Sequence, residues 1–87
     1  MFAILYYDFA EQRVAKALKI CRKYLTHVQN SVFEGDITEA NYKKLVTELR
    51  KKMDERYDSL IIYTFENMRY SNREVYGNKG REPTFII

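Results

Sequence analysis

The chain predicts an α+β sandwich, with two helices on one face of a small, mainly antiparallel sheet. Three observations predict it. Phe2-Ala3-Ile4-Leu5-Tyr6-Tyr7 is an unbroken apolar run of strand length, and Ser59-Leu60-Ile61-Ile62-Tyr63-Thr64-Phe65 is a second one. Two segments between them, near 11–25 and 38–55, change to a helical period, each apolar on one side and basic on the other. Strand patterns and helix patterns that alternate in so short a chain must share one core, because neither type of element buries its apolar face alone.

Each element has its own reason. In residues 2–8 both alternating sets are apolar (Phe2, Ile4, Tyr6 and Ala3, Leu5, Tyr7), which places this strand centrally, covered at least partly on both sides. In the first helix Val14, Ala17, Leu18, Cys21 and Leu25 share a face, and Arg13, Lys16, Lys19, Arg22 and Lys23 share the other. Glu11 falls at its start, where the helix dipole favours an acid. Val28, Ser31, Val32 and Phe33 make 26–34 strand-like, and Gly35-Asp36 ends the run. Asp36 with Glu39, or Thr38 alone, is placed to cap the second helix, whose apolar stripe is Tyr42, Leu45, Val46, Leu49 and Met53. Residues 67–72 read as a loop, Arg73 to Tyr76 as a short strand, Gly77-Asn78-Lys79-Gly80 as a turn, and Thr84 to Ile87 as an apolar tail after Pro83.

A ferredoxin-like sandwich fits this order best. That arrangement needs two strands between the helices, and 26–37 has little room for them; a bent single strand or a very tight hairpin reconciles the two. Two helices cover one sheet face, yet the strands are apolar on both. The second face, with the tail, therefore predicts another subunit in a two-fold dimer. The tail, 83–87, is expected to be an edge strand or extension packed on the partner, where it closes an open sheet edge.

Composition bounds the function. The 87 residues make a single domain, 1–87, whose 46% apolar and 31% charged residues are those of a folded chain. Eight Tyr and five Phe are many, and Tyr favours interfaces as well as cores. A net charge of +3 permits nucleic-acid binding without demonstrating it. One cysteine, Cys21, excludes an intrachain disulfide and a cysteine-rich zinc site, which fits a reducing, cytoplasmic setting. No apolar run approaches the roughly 20 residues of a membrane span. The first apolar run lacks the basic lead of a signal peptide, so no membrane partner is expected.

Asp8 is the leading candidate for chemistry. One reading makes it a metal ligand at a dimer axis, where two symmetry-related carboxylates hold one magnesium or manganese ion that keeps several waters and accepts phosphate oxygens. The other makes it a strand-end acid that caps the next helix. The basic face of the first helix, with Lys16, Lys19 and Lys23, is either phosphate-facing or a solvated helix back. Arg13 is nearest Asp8 in chain order and is the better choice for gripping a phosphate. Ser31 is a possible hydrogen-bond donor and a weak nucleophile without an evident activating base. Phe33 is either core or a base-stacking platform. His27 alone makes no transition-metal site, and Cys21 is expected to be inert packing. Gly77 to Gly80 lacks the spacing of a phosphate loop.

Taken together, Tyr7-Asp8-Phe9, the basic helix with Cys21, Val28-Gln29-Asn30-Ser31-Val32-Phe33-Glu34-Gly35-Asp36 and Ile61-Ile62-Tyr63-Thr64-Phe65 resemble the small CRISPR-associated protein that partners the spacer integrase. The resemblance covers essentially the whole chain. It implies a ferredoxin-like homodimer and a metal-dependent endonuclease of single-stranded RNA or double-stranded DNA that acts in antiviral defence. It implies Asp8 as the metal-binding aspartate, Tyr7 as the aromatic before it, Arg13 loosely as a basic residue early in the first helix, and Ser31 and Phe33 as the serine and phenylalanine of the second strand. It also implies a second, non-catalytic role, in which the dimer bridges two integrase dimers and helps hold the DNA being inserted. A small regulatory domain with a small-molecule ligand is the remaining alternative, and the lack of a glycine-rich ligand loop counts against it.

Overall fold

The computed structural model describes residues 1–66 and 71–78. Its elements are β1 (Phe2–Asp8), α1 (Glu11–Arg22), β2 (Thr26–Gln29), β3 (Val32–Asp36), α2 (Glu39–Lys52), β4 (Ser59–Phe65) and β5 (Ser71–Gly77). The sheet runs β2-β3-β1-β4-β5, and every neighbouring pair is antiparallel. This is the ferredoxin-like order with one strand added beyond β4. β1 is central, as its two apolar faces predict.

Residues 26–37 hold a tight hairpin rather than one bent strand. Gln29 pairs with Val32, so Asn30 and Ser31 alone make the link. Asn30 turns it at φ 43°, a left-handed conformation that Asn accepts more readily than most side chains. The register shifts between His27 and Gln29, a local irregularity of the short edge strand β2. β5 is longer than its sequence predicts, because seven paired positions along β4, from Ser59↔Gly77 to Phe65↔Ser71, organise residues of low strand propensity. The expected tail at 83–87 and its packing on a partner lie outside the described residues, as do 67–70 of the expected loop.

The helices cover one face of the sheet. Ala3, Leu5 and Tyr7 of β1, Phe33 of β3, and Leu60 and Ile62 of β4 form the core with Ala17, Ile20 and Cys21 of α1 and Leu45, Val46 and Leu49 of α2. Thr38 caps α2, its hydroxyl accepting from the Asn41 N–H at 3.1 Å. Cys21 lies fully in this core, and burial pushes its thiol up to about 12, which makes it packing rather than a nucleophile.

Along β1 the alternate residues Phe2, Ile4, Tyr6 and Asp8 stay only half-buried. They point to the opposite face, where their cross-strand partners in β4 are Phe65, Tyr63, Ile61 and Ser59. Val32 beside Tyr6, and Val75 beside Ile61, continue this second apolar face. No described helix lies on it. Among the described residues no helix is long and apolar enough to cross a membrane.

Candidate functional site

The alternation of β1 separates the two neighbours that the sequence puts together. Asp8 belongs to the helix-free face, at the end of the strand, directly opposite Ser59 of β4. Tyr7 belongs to the core. Its ring is 2% exposed and sits between Phe9, at 5.7 Å edge-on, and Phe33, at 6.1 Å and nearly parallel. Burial raises the Tyr7 hydroxyl above its ordinary value; Cys21 adds to this, while a Ser31 hydrogen bond and Arg22 pull the other way. The phenol is therefore protonated at neutral pH.

Ser31 is next to Tyr7, whose N–H donates to the Ser31 carbonyl at 3.1 Å, so the hairpin turn and the end of β1 meet. Phe33 is fully buried and has no face open to a base. Its other ring neighbour is His27, stacked at 4.6 Å and 14°. The His27 ring also contacts the Asn30 carbonyl at 2.6 Å through Nε2, a local bond within the hairpin.

Arg13 engages a residue that the sequence does not single out. Its guanidinium clasps Asp58 with Nε at 2.6 Å and Nη2 at 3.0 Å. Asp58 is fully buried just before β4, and it also accepts the Ala10 N–H and the Asp54 N–H, each at 2.8 Å. It thus serves the first turn of α1, the job one reading gave to Asp8. Burial alone would raise the Asp58 carboxyl, but the Arg13 bond and the two backbone N–H groups outweigh it and hold the carboxyl below the usual range. The only hint in the sequence is an acid before a strongly apolar strand; a contact across 45 residues has no local signature.

Lys16, Lys19 and Arg22 stand exposed along α1. Lys23 is exposed too but pairs with Glu48 of α2, which also accepts from the Tyr24 hydroxyl. On the other flank, Glu74 of β5 accepts from the hydroxyls of Tyr42 and Tyr76, tying β5 to α2 beside a groove of about 510 Å³.

Asp8 contributes one carboxylate to the helix-free face. Among the described residues no group of three or more His, Cys, Asp or Glu side chains is gathered to hold a metal. Ser59 Oγ, opposite Asp8, is buried without a hydrogen-bond partner. A half-buried carboxylate is the donor type that a hydrated, oxygen-seeking cation such as magnesium takes, one or two at a time with its waters kept. A lone carboxylate does not fit a zinc-type site.

Comparison with known proteins agrees with this architecture. The family model described as CRISPR associated protein Cas2 matches residues 1–73. The chain is 44% identical over 87 residues to the CRISPR-associated endoribonuclease Cas2 of Thermotoga maritima, covering 100% of both chains. It is 51% identical over 63 residues to the protein of the same name from Frankia alni, covering 72% of each. A crystal structure of a Cas2 superimposes with a TM-score of 0.74 at 31% identity, covering 97% of this chain and 95% of that one.

Proposed function

The chain belongs to the CRISPR associated protein Cas2 family, and we propose that it is a magnesium-dependent endonuclease whose site forms around Asp8 where two copies meet. Single-stranded RNA, double-stranded DNA or both are its substrates. The observation that carries this reading is the position of Asp8: an acid at the end of the central strand, on an apolar sheet face that no described helix covers. A second copy stacked on that face through a two-fold axis buries Ile4, Tyr6, Tyr63 and Val75 and draws the two Asp8 carboxylates toward each other.

The residues then divide the work. The paired Asp8 carboxylates hold the divalent ion. Bound magnesium or manganese supplies a water of lowered pKa and offsets charge on the phosphoryl oxygens. Tyr7 and Ser31, packed together behind the strand end, fix the backbone from which Asp8 projects. Phe33 and Arg13 support the same end of the molecule, the first through its stack on Tyr7 and the second through Asp58. Lys16, Lys19 and Lys23 face phosphates and position the substrate without reading its sequence. The exposure of Lys16 and Lys19 also favours a second role, a non-catalytic adaptor that holds DNA and bridges integrase dimers.

The test compares cleavage of labelled RNA and duplex DNA, with and without magnesium, by the native chain and Asp8→Asn. Loss of several kcal/mol of charge stabilisation corresponds to a fall of at least about a hundredfold, with dimer mass and circular dichroism unchanged. Magnesium-dependent cleavage that survives in a carefully purified Asp8→Asn protein sinks the reading. If neither protein cuts while both bind duplex DNA, the adaptor role stands alone.

A further inference from the structure

Phe33, the base platform that the sequence suggests, is fully buried. Tyr57 is its opposite. At 55% it is the most exposed of the large apolar side chains among the described residues, ahead of Val28 at 50%. A single exposed tyrosine is ordinary on a protein surface; the frame that carries this one is not. Tyr57 lies in the turn between α2 and β4, where its N–H donates to the Asp54 carbonyl at 3.0 Å and the Asp58 N–H donates to the same carbonyl at 2.8 Å. The Asp54 carboxylate accepts the Arg56 N–H at 3.0 Å and holds the Arg56 guanidinium at 2.9 and 3.1 Å. That guanidinium lies over the Tyr57 ring, 5.3 Å from its centroid. Below the turn, buried Asp58 ties it to the start of α1 through the Ala10 N–H and Arg13. A ring on so fixed a frame loses little freedom when a flat ligand settles on it.

The charges of the turn indicate the kind of ligand. Each of its acids is paired with an arginine: Asp54 with Arg56, Glu55 with Arg50 at 3.4 Å, and Asp58 with Arg13. The turn therefore brings no surplus charge to a phosphate. What it offers is an aromatic ring with a guanidinium on it, and unpaired bases stack on such surfaces. In a duplex the faces of the bases are covered by their neighbours, so the ring serves a single strand only. The turn also stands at the Asp8 end of the sheet, since Tyr57 is two residues before Ser59, which pairs with Asp8. Two residues span at most about 7 Å and neighbouring strands are about 5 Å apart, so the Tyr57 and Asp8 backbones are within about 12 Å of each other.

We infer that Tyr57, with Arg56 on its ring, is a stacking platform for one unpaired base of a single-stranded nucleic acid entering the Asp8 end of the molecule. The inference rests on the reading of the chain as a nuclease and narrows its substrate toward single strands. It also separates two kinds of contact. The lysines of α1 act through charge, which salt weakens, whereas Tyr57 acts through its face, which adds nothing to the salt dependence.

The experiment measures binding of a short labelled single-stranded RNA and of duplex DNA over a range of salt, without magnesium so that neither is cut, for the native chain, Tyr57→Ala and Tyr57→Phe. RNA affinity is expected to fall at least about fivefold in Tyr57→Ala and to return in Tyr57→Phe, which keeps the ring. The slope of log affinity against log salt should stay native, and so should duplex affinity. Native RNA affinity in Tyr57→Ala overturns the platform and leaves the nuclease reading standing. Equal losses for RNA and duplex overturn it as well, because a stack on an unpaired base cannot act on both. A shallower salt slope in Tyr57→Ala overturns it by assigning the residue to phosphate contact. A native chain that binds neither RNA nor duplex removes the premise itself.

Discussion

Two aspartates stand out at the residue scale, and only one announces itself. Asp8 ends an apolar strand, so its position is legible from the sequence. Asp58 is also next to an apolar strand, but its importance comes from groups 45 and 48 residues away, Arg13 and the Ala10 N–H. No spacing rule reaches that far. The same contact gives Arg13 a fixed structural partner, with 18% of its side chain still accessible. Breaking a buried pair leaves an uncompensated charge and costs about 3–5 kcal/mol. Asp58→Asn keeps the shape and one acceptor, and Arg13 keeps some access to water, so the low end, about 3 kcal/mol, is expected in urea unfolding at pH 7. The pH dependence follows from the depressed carboxyl of the folded state. The unfolded carboxyl titrates near pH 3.9, so the stabilisation is present above that value and is lost as pH falls toward the lower folded one. The Asp58→Asn variant should lack this part of the acid loss; an acid limb identical to that of the native chain would assign it to other groups.

At the element scale, the long periodic segments were readable in full and the short ones only in part: Arg73 to Tyr76 reads as a strand, but without its first two residues, and 26–34 reads as strand-like without its division into two. β1, α1, α2 and β4 follow directly from apolar runs and helical stripes. β2 is four residues, all exposed, and carries no burial pattern to read. β5 begins Ser71-Asn72-Arg73, whose strand character comes from pairing with β4 and not from propensity. Its end depends on one glycine. Gly77 has φ +86°, and a Cβ there would lie 2.1 Å from the Asp58 carbonyl oxygen and 2.7 Å from Met53 Cε. The same carbonyl accepts the Asn78 N–H at 2.9 Å, so it is not free to move away. Gly77→Ala should therefore cost about 2–3 kcal/mol, the upper part of the range for a side chain held in a disfavoured backbone region. Equilibrium unfolding in urea reads it directly. A change below about 0.5 kcal/mol, the usual scale for a neutral surface substitution, would mean that β5 detaches from β4 at little cost.

For the whole molecule the question is what the second sheet face is for. The sequence made both faces of β1 apolar, and the helices of one chain can cover only one of them. Phe2, Ile4 and Tyr6 remain half-buried on the other, in line with Asp8. The proposed dimer answers two needs in one arrangement: a second copy on this face would remove apolar surface from water and bring a second carboxylate to the first. The two consequences separate in a single variant. Ile4 lies outside the core cluster, between Glu34 of β3 and Tyr63 of β4. Ile4→Lys should leave the fold intact, because the new ammonium has Glu34 beside it and reaches water from a half-buried site. In a stacked dimer it would meet its own symmetry mate across an apolar interface, and an unpaired charge in such a place is strongly unfavourable. Sedimentation should find a monomer with native circular dichroism, and cleavage should fall as far as it does in Asp8→Asn. A variant that sediments as a dimer moves the interface away from this face. A monomer that cuts at the native rate keeps the interface but makes one Asp8 sufficient, so the two-fold axis would serve assembly and not the reaction.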